Sequence, residues 1–322
     1  MSRGRGIARL VAIQVAILIT TLLIIEIVLR VLNPAYLRLD DWGTLNYRHD
    51  AELGWTPIPN TETVVLLPRE IRLRNNRLGL RDIEFARGPE PAILVLGDSN
   101  VWGYNVQDNE RFTELLRAVL PSHAIVNAGV SGYGTDQEYL VLKRLWDTIQ
   151  PKIVVLIFCV GNDHQDNSSN VRYFSYKPYL AMQPDGTAQF RGQPVPQSRR
   201  LVMKENWWGQ HLFLARLAIS AAVELRYPRI TVPDPTERLI AMMRDFVESK
   251  GGKLVVGLQY RDPPLETFLQ AQKIPFTTFE GGEQYTSSKH WTPEGNKLVA
   301  ARLMRLLADS GVLEPTAATQ RP

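Results

Sequence analysis

From residue 91 onward the sequence keeps returning to one arrangement: a short apolar run, then a segment with helical spacing. That alternation restricts the fold more than any other feature. Ala92 to Leu96 is apolar and ends in glycine, and Glu110 to Leu120 follows with helical spacing, capped by Asp108 or Asn109. Ala124 to Asn127 is a second run. Thr135 and Glu138 then make a capping box for a helix continuing through Leu140, Leu142 and Leu145. Lys152 to Cys159 and Leu254 to Leu258 are further runs, with helices expected from about Pro235 to Ser249, near Leu265 to Ala271, and from Pro293 to Leu307. Strands that are apolar throughout are buried on both faces, so the expectation is an α/β fold with a parallel sheet covered by helices on both sides. An insertion, about 164–232, interrupts the alternation.

The N-terminus has a different character. Arg3, Arg5 and Arg9 precede a stretch from Leu10 to Ile25 with no charge, and apolar residues continue past Glu26 to Leu32. A bilayer core of about 30 Å needs roughly 20 helical residues, and this segment supplies them. It exceeds the roughly 7–15 apolar residues of a signal-peptide core, and no small-x-small cleavage site follows. The expectation is a single-pass anchor in the inner membrane through residues 7–32, with the remainder exported to the periplasmic side. Arg30 and Arg38 weaken the charge asymmetry without reversing it. Glu26, near the outer end, is expected to reach the headgroups.

Asn33-Pro34 breaks this helix. The stretch that follows has turn signals around two short strands, Thr63 to Leu67 and Ile71 to Arg74. The expected division is therefore a transmembrane helix over 1–33, a small β-rich lead-in over 34–90, a main domain over 91–312 and a disordered tail over 313–322.

Composition excludes some partners. The 37 basic and 33 acidic side chains leave only +4, which reads as spread along the chain with no basic block, so nucleic acid is not expected. The single cysteine, Cys159, precludes an intramolecular disulfide and a cysteine metal site, and reads as a buried structural thiol. No metal-ligand cluster stands out and no cofactor is implied. In the insertion, Trp207-Trp208 through Leu212, Phe213, Leu217 and Ile219 reads as a packing helix, with a lid or membrane-resting surface as the alternative.

Four segments at expected strand or helix ends carry the chemistry. The first strand runs into Gly97-Asp98-Ser99-Asn100, and the second into Asn127-Ala128-Gly129-Val130-Ser131-Gly132. The third ends in Val160-Gly161-Asn162-Asp163. His290 stands just before a helix that Thr292 caps and Pro293 starts, where the positive helix end disfavours imidazolium and keeps the ring able to accept a proton. His164 is the reserve base. Taken singly, each segment is an ordinary turn; together, each brings a residue type that acyl transfer needs.

In this order the segments resemble the signature blocks of the SGNH/GDSL hydrolase superfamily, over roughly residues 91–310. The resemblance implies a flavodoxin-like three-layer α/β/α sandwich and chemistry on esters and acyl groups without a cofactor. It implies that Ser99 is the nucleophile, that His290 is its base, and that Ser99, Gly132 and Asn162 form the oxyanion hole. An ester, such as an O-acetyl group on an envelope glycan, is the implied substrate. O-acyl transfer on the same fold is one alternative, and a degenerate glycan- or complex-binding protein is another. One departure stands out. The family's last block is Asp-x-x-His, but Ser287 occupies the aspartate position. Ser287 itself, a backbone carbonyl, Glu283 or Glu280 then remain to orient His290.

Overall fold

The computed structural model describes residues 2–39, 46–66 and 69–313. Leu67 and the expected disordered tail from residue 314 lie outside the described residues. The chain forms two compact units, one of residues 1–41 with 197–229 and one of residues 42–196 with 230–322.

The larger unit is built on a parallel sheet. Its described strands are β1 (Ala92–Gly97), β2 (Ala124–Asn127), β3 (Ile153–Phe158), β4 (Lys253–Leu258) and β5 (Phe276–Thr278), in the order β2-β1-β3-β4-β5. All four pairings are parallel. Side chains alternate between two faces along each strand. Leu94, Leu96, Val154, Leu156 and Val256 enter one core, with Leu142 and Met243 from the helices Thr135–Ile149 and Thr236–Ser249. Ile93, Val95, Val155, Ile157 and Val255 enter the other, with Leu116 and Leu303 from the helices Phe112–Val119 and Pro293–Asp309. The result is the three-layer α/β/α arrangement. Strand order reverses direction between β1 and β3, which opens a crevice at their carboxyl ends. β5 has no signature in the sequence, because a three-residue edge strand with every residue half-buried presents no apolar run.

Two expected helix caps are replaced. Asp108–Glu110 forms a 3-10 turn of its own, and the helix Phe112–Val119 starts after Arg111 with no side-chain cap. At the next helix the N-cap is Gly134, whose N–H donates to Gln137 Oε1 at 3.3 Å. Thr135 and Glu138 do not close a box; Thr135 Oγ1 and both Glu138 oxygens are buried without a hydrogen bond among the described residues. The capping rule presumes a helix end open to water, and this end is inside the protein.

The lead-in supplies two hairpins, Tyr47–Asp50 with Gly54–Pro57 and Glu62–Leu66 with Glu70–Arg74. Leu53, at the turn of the first, is part of the main core, and Val65, Ile71 and Leu73 of the second enclose Trp102. Asp82, 6% exposed, then ties the lead-in to β2: it accepts from the Asn127 N–H at 2.8 Å and from Arg117 at 2.8 Å.

In the smaller unit, Ser2–Leu32 is one helix. Its segment Gly6–Leu32, of mean hydropathy 2.6, is long and apolar enough to cross a membrane. Glu26 does not extend outward as expected. It is 8% exposed and accepts from the backbone N–H groups of Phe213 at 3.0 Å and Leu214 at 2.8 Å, while pairing with Arg30 at 2.8 Å. A carboxylate at the first turn of the helix Phe213–Arg226 satisfies donors that the helix itself leaves open. The tryptophan-rich stretch is not one helix but Trp207–His211 followed by Phe213–Arg226. Phe213 is buried with Leu37 and Met203, whereas both tryptophans are exposed.

Replacing Asp82 with alanine leaves the buried Asn127 N–H without its acceptor, while Arg117 keeps Glu114 and the Ile125 carbonyl. The expected cost is about 1–3 kcal/mol, a fall in melting temperature of about 5 °C, read by calorimetry.

Candidate active site

Ser99 opens a one-turn helix, Ser99–Trp102, directly after β1. Asp98 caps that turn, its Oδ1 accepting from the Asn100 N–H at 2.9 Å. The turn can sit this deep because Gly129 faces it: a side chain there would place Cβ 2.4 Å from the Trp102 nitrogen. Ser99 is 8% exposed. Its Oγ lies 2.7 Å from His290 Nε2 and 3.3 Å from Asp98 Oδ2.

His290 arrives from the far end of the chain, on the loop before the helix Pro293–Asp309. Thr292 caps that helix, accepting from the Gly295 N–H at 3.1 Å. Trp291, 1% exposed, fixes the loop by lying edge-on to Phe112 and Phe279. Within the loop, the Tyr285 N–H donates to the His290 carbonyl at 2.8 Å. Burial holds the His290 imidazole below its ordinary pKa, opposed by the charge of Asp98 and by the Ser288 carbonyl. A ring so placed is neutral at pH 7 and can take the serine proton.

Ser287, Glu283 and Glu280 are all exposed, and no side chain of the three hydrogen-bonds to His290. His290 Nδ1 has no side-chain partner among the described residues; the group that acts on it is the Ser288 backbone carbonyl, short of full hydrogen-bond geometry. The segment after Ser99 also contacts the ring and its loop. Tyr104 stacks on the imidazole at 4.4 Å between centroids and 30° between planes, and its own N–H donates to the Ser99 carbonyl at 2.9 Å. Asn105 Nδ2 donates to Ser288 Oγ at 2.5 Å, tying down the histidine loop. Gly103, with φ of +90°, makes the reversal that lets this arm turn back. Sequence reasoning passes over Tyr104 and Asn105 because ring stacking leaves no spacing pattern; nearness to Ser99 is the only signal.

In the loop after β2, Gly132 adopts φ of +80°, and a Cβ there would come within 2.8 Å of the Tyr173 ring. The backbone N–H groups of Ser99 and Gly132 are not engaged by any acceptor among the described residues. Asn162 is differently occupied. Its Nδ2 donates to Asp163 Oδ1 at 3.0 Å and to Asp166 Oδ2 at 2.8 Å, and its Oδ1 accepts from Cys159 Sγ at 2.8 Å. Cys159 is buried, but in a polar setting rather than an apolar one: Gln259 Oε1 is 3.0 Å away and Asn100 Nδ2 3.6 Å. Burial, then the charges of Asp98 and Asp163, push its thiol well above the ordinary range. Burial, then the charges of neighbouring carboxylates, Asp98 and Asp166 among them, likewise raise Glu138 and Asp163.

His164 is committed elsewhere. Its Nδ1 lies 2.6 Å from Asp234 Oδ2 and its Nε2 2.7 Å from Asp262 Oδ2. The Asp234 bond chiefly, with Asp262 adding to it and burial opposing, pushes the imidazole up to about 9. A ring protonated on both nitrogens is no base for Ser99.

No protein-family model and no curated protein matches the chain. Solved structures do. The chain is similar to lipolytic hydrolases of the G-D-S-L type. One is a lipolytic protein of that family from Desulfitobacterium hafniense, at 13% identity and a TM-score of 0.41, covering 68% of this chain and 100% of that one. The esterase EstA from Pseudoalteromonas sp. matches at 11% identity and 0.40, covering 68% and 98%. A lipase/acylhydrolase from Enterococcus faecalis matches at 13% and 0.39, covering 70% and 98%.

His164 gives this unit a pH dependence of known sign. Its folded pKa of about 9 lies above the unfolded value near 6.5, so its stabilising effect is complete below pH 6.5 and is lost as pH rises through 9. The ring is about a third open to solvent, which keeps the effect small. Melting temperature is expected to fall between pH 6 and pH 9.5, and the fall is expected to be smaller in His164→Asn.

Proposed function

We propose that this chain is an SGNH-type serine acyl hydrolase held to a membrane by its N-terminal helix, with Ser99 as nucleophile and His290 as general base. The 2.7 Å approach of His290 Nε2 to Ser99 Oγ carries the reading. It brings together a hydroxyl and a neutral imidazole at the sheet edge where open α/β folds bind ligands.

Ser99 Oγ attacks the ester carbonyl as its proton passes to His290 Nε2. The tetrahedral oxyanion takes hydrogen bonds from the Ser99 and Gly132 N–H groups; in a comparable enzyme one such donor is worth about 10²–10³ in rate. Asn162 joins them only by giving up a bond to Asp163 or Asp166. Collapse releases the alcohol, which recovers the proton from His290, and water then hydrolyses the acyl-enzyme by the same steps. The face of the Tyr104 ring favours the imidazolium formed on the way, an effect of about 0.5–1 kcal/mol. That is less than an aspartate supplies, since loss of a triad carboxylate costs up to about 10⁴ in rate, so turnover is expected to be modest.

The anchor reading has a structural reason beyond hydropathy. Glu26 and Leu29 belong to the packing of the smaller unit, so cleavage after the apolar stretch removes the cap of the helix Phe213–Arg226. An anchored domain on the exported side meets envelope esters, O-acetylated glycans among them.

Detergent-solubilised protein is expected to hydrolyse a short-chain aryl ester and to be labelled at Ser99 by a fluorophosphonate. Ser99→Ala and His290→Ala should each lower the rate by at least about 10³. The rate should fall as pH drops through a midpoint below 6.5, because protonated His290 cannot accept the serine proton. Glu280→Ala, Glu283→Ala and Ser287→Ala should stay within about twofold of the parent. Tyr104→Ala should lower kcat by about 10–100-fold through a displaced ring, with KM little changed and Tyr104→Phe near the parent. An unlabelled Ser99 in folded protein would remove the enzymatic reading.

A further inference from the structure

The smaller unit displays large apolar side chains beyond those of the apolar helix. Trp207 and Trp208 are each 59% exposed, with rings edge to face at 4.8 Å, and Leu225 is 85% exposed. Tryptophan is seldom left this open in water, whereas its amphipathic ring is enriched at membrane interfaces.

Where these residues sit follows from Glu26. Gly6–Leu32 is 27 residues, about 40 Å of helix at 1.5 Å per residue, against a hydrocarbon core of about 30 Å. A span that begins at Gly6 therefore leaves the hydrocarbon near residue 26. That is the residue on which the first turn of Phe213–Arg226 is docked, and one turn later Arg30 donates to the His211 carbonyl. Arg216 completes the attachment, donating to the Gly209 carbonyl at 2.7 Å and the Leu37 carbonyl at 3.2 Å.

Charge points to the same place. Segment 197–229 holds six basic residues (Arg199, Arg200, Lys204, Arg216, Arg226 and Arg229) and two acidic ones, Glu205 and Glu224. The formal excess of +4, which reads as spread along the chain, therefore equals the excess of this one segment, and the rest of the chain balances. Basic residues at a bilayer surface are attracted to anionic headgroups, about 1 kcal/mol for each one close to it.

We propose that segment 197–229 is a collar seated on the bilayer surface at the outer end of the apolar helix. It places Trp207 and Trp208 at the hydrocarbon boundary and its exposed basic side chains, Arg226 and Arg229, among anionic phospholipid headgroups. The proposal rests on the anchor reading and is independent of the esterase chemistry.

The test uses the full chain in nanodiscs of phosphatidylcholine, with and without phosphatidylglycerol, and with acyl chains brominated near the headgroup. Tryptophan fluorescence is expected to be quenched by bromine, and Trp207→Phe with Trp208→Phe to remove at least half of that quenching. Phosphatidylglycerol is expected to deepen the quenching, and Arg226→Glu with Arg229→Glu to abolish that deepening. Protein that incorporates into the discs but shows equal bromine quenching with and without the two tryptophans overturns the collar and leaves the anchor standing. Quenching indifferent to phosphatidylglycerol overturns the headgroup contact. Protein that fails to incorporate overturns anchor and collar together.

Discussion

The placement of β1 in the interior of the parallel sheet is the constraint on which the rest of the larger unit depends. With β2 on one side and β3 on the other, β1 is buried along its whole length and ends where the strand order changes direction. Asp98 and Ser99 leave the sheet at that point, and the loops after β2 and β3 leave it alongside. Those loops carry Gly132 and Asn162. A one-residue slip of β1 would exchange its two faces between the two cores and turn Ser99 away from the crevice.

Across that crevice His290 is held by packing, and among the described residues no carboxylate hydrogen-bonds to its ring. Trp291 locks the loop from below, Tyr104 covers the imidazole face, and Asn105 holds Ser288. Packing fixes a ring in place well but compensates its positive charge weakly. The carboxyl nearest in effect is Asp98, whose charge raises the basicity of His290 against the burial that lowers it. The same aspartate caps the turn that Ser99 opens, so one buried residue shapes the serine turn and raises the facing imidazole.

In the smaller unit, a carboxylate within an otherwise apolar helix is a cost unless its lone pairs are used. Glu26 uses them on the first N–H groups of a second helix, which the helix itself leaves open, and this explains how a charge is kept at that position. It also ties 197–229 to the N-terminal helix within one compact unit, although about 165 residues of sequence separate them.

The sequence by itself determined the alternation of buried strands and amphipathic helices, and with it the layer architecture, because side-chain period and apolar runs are local properties. It also marked Ser99, Gly132, Asn162 and His290 as residues at strand or helix ends. Only the tertiary structure decided that Ser99 and His290, 191 positions apart, share a hydrogen bond, that Tyr104 stacks on the imidazole while Ser287, Glu283 and Glu280 stay away from it and a backbone carbonyl, that of Ser288, acts on it, and that the Asn162 amide is held by Asp163 and Asp166. It likewise decided that Glu26 caps a distant helix and that the head of the helix Thr135–Ile149 is buried. Each of these depends on which surfaces meet after the chain has folded back on itself, and pairwise contacts between distant segments leave no periodic trace along the chain.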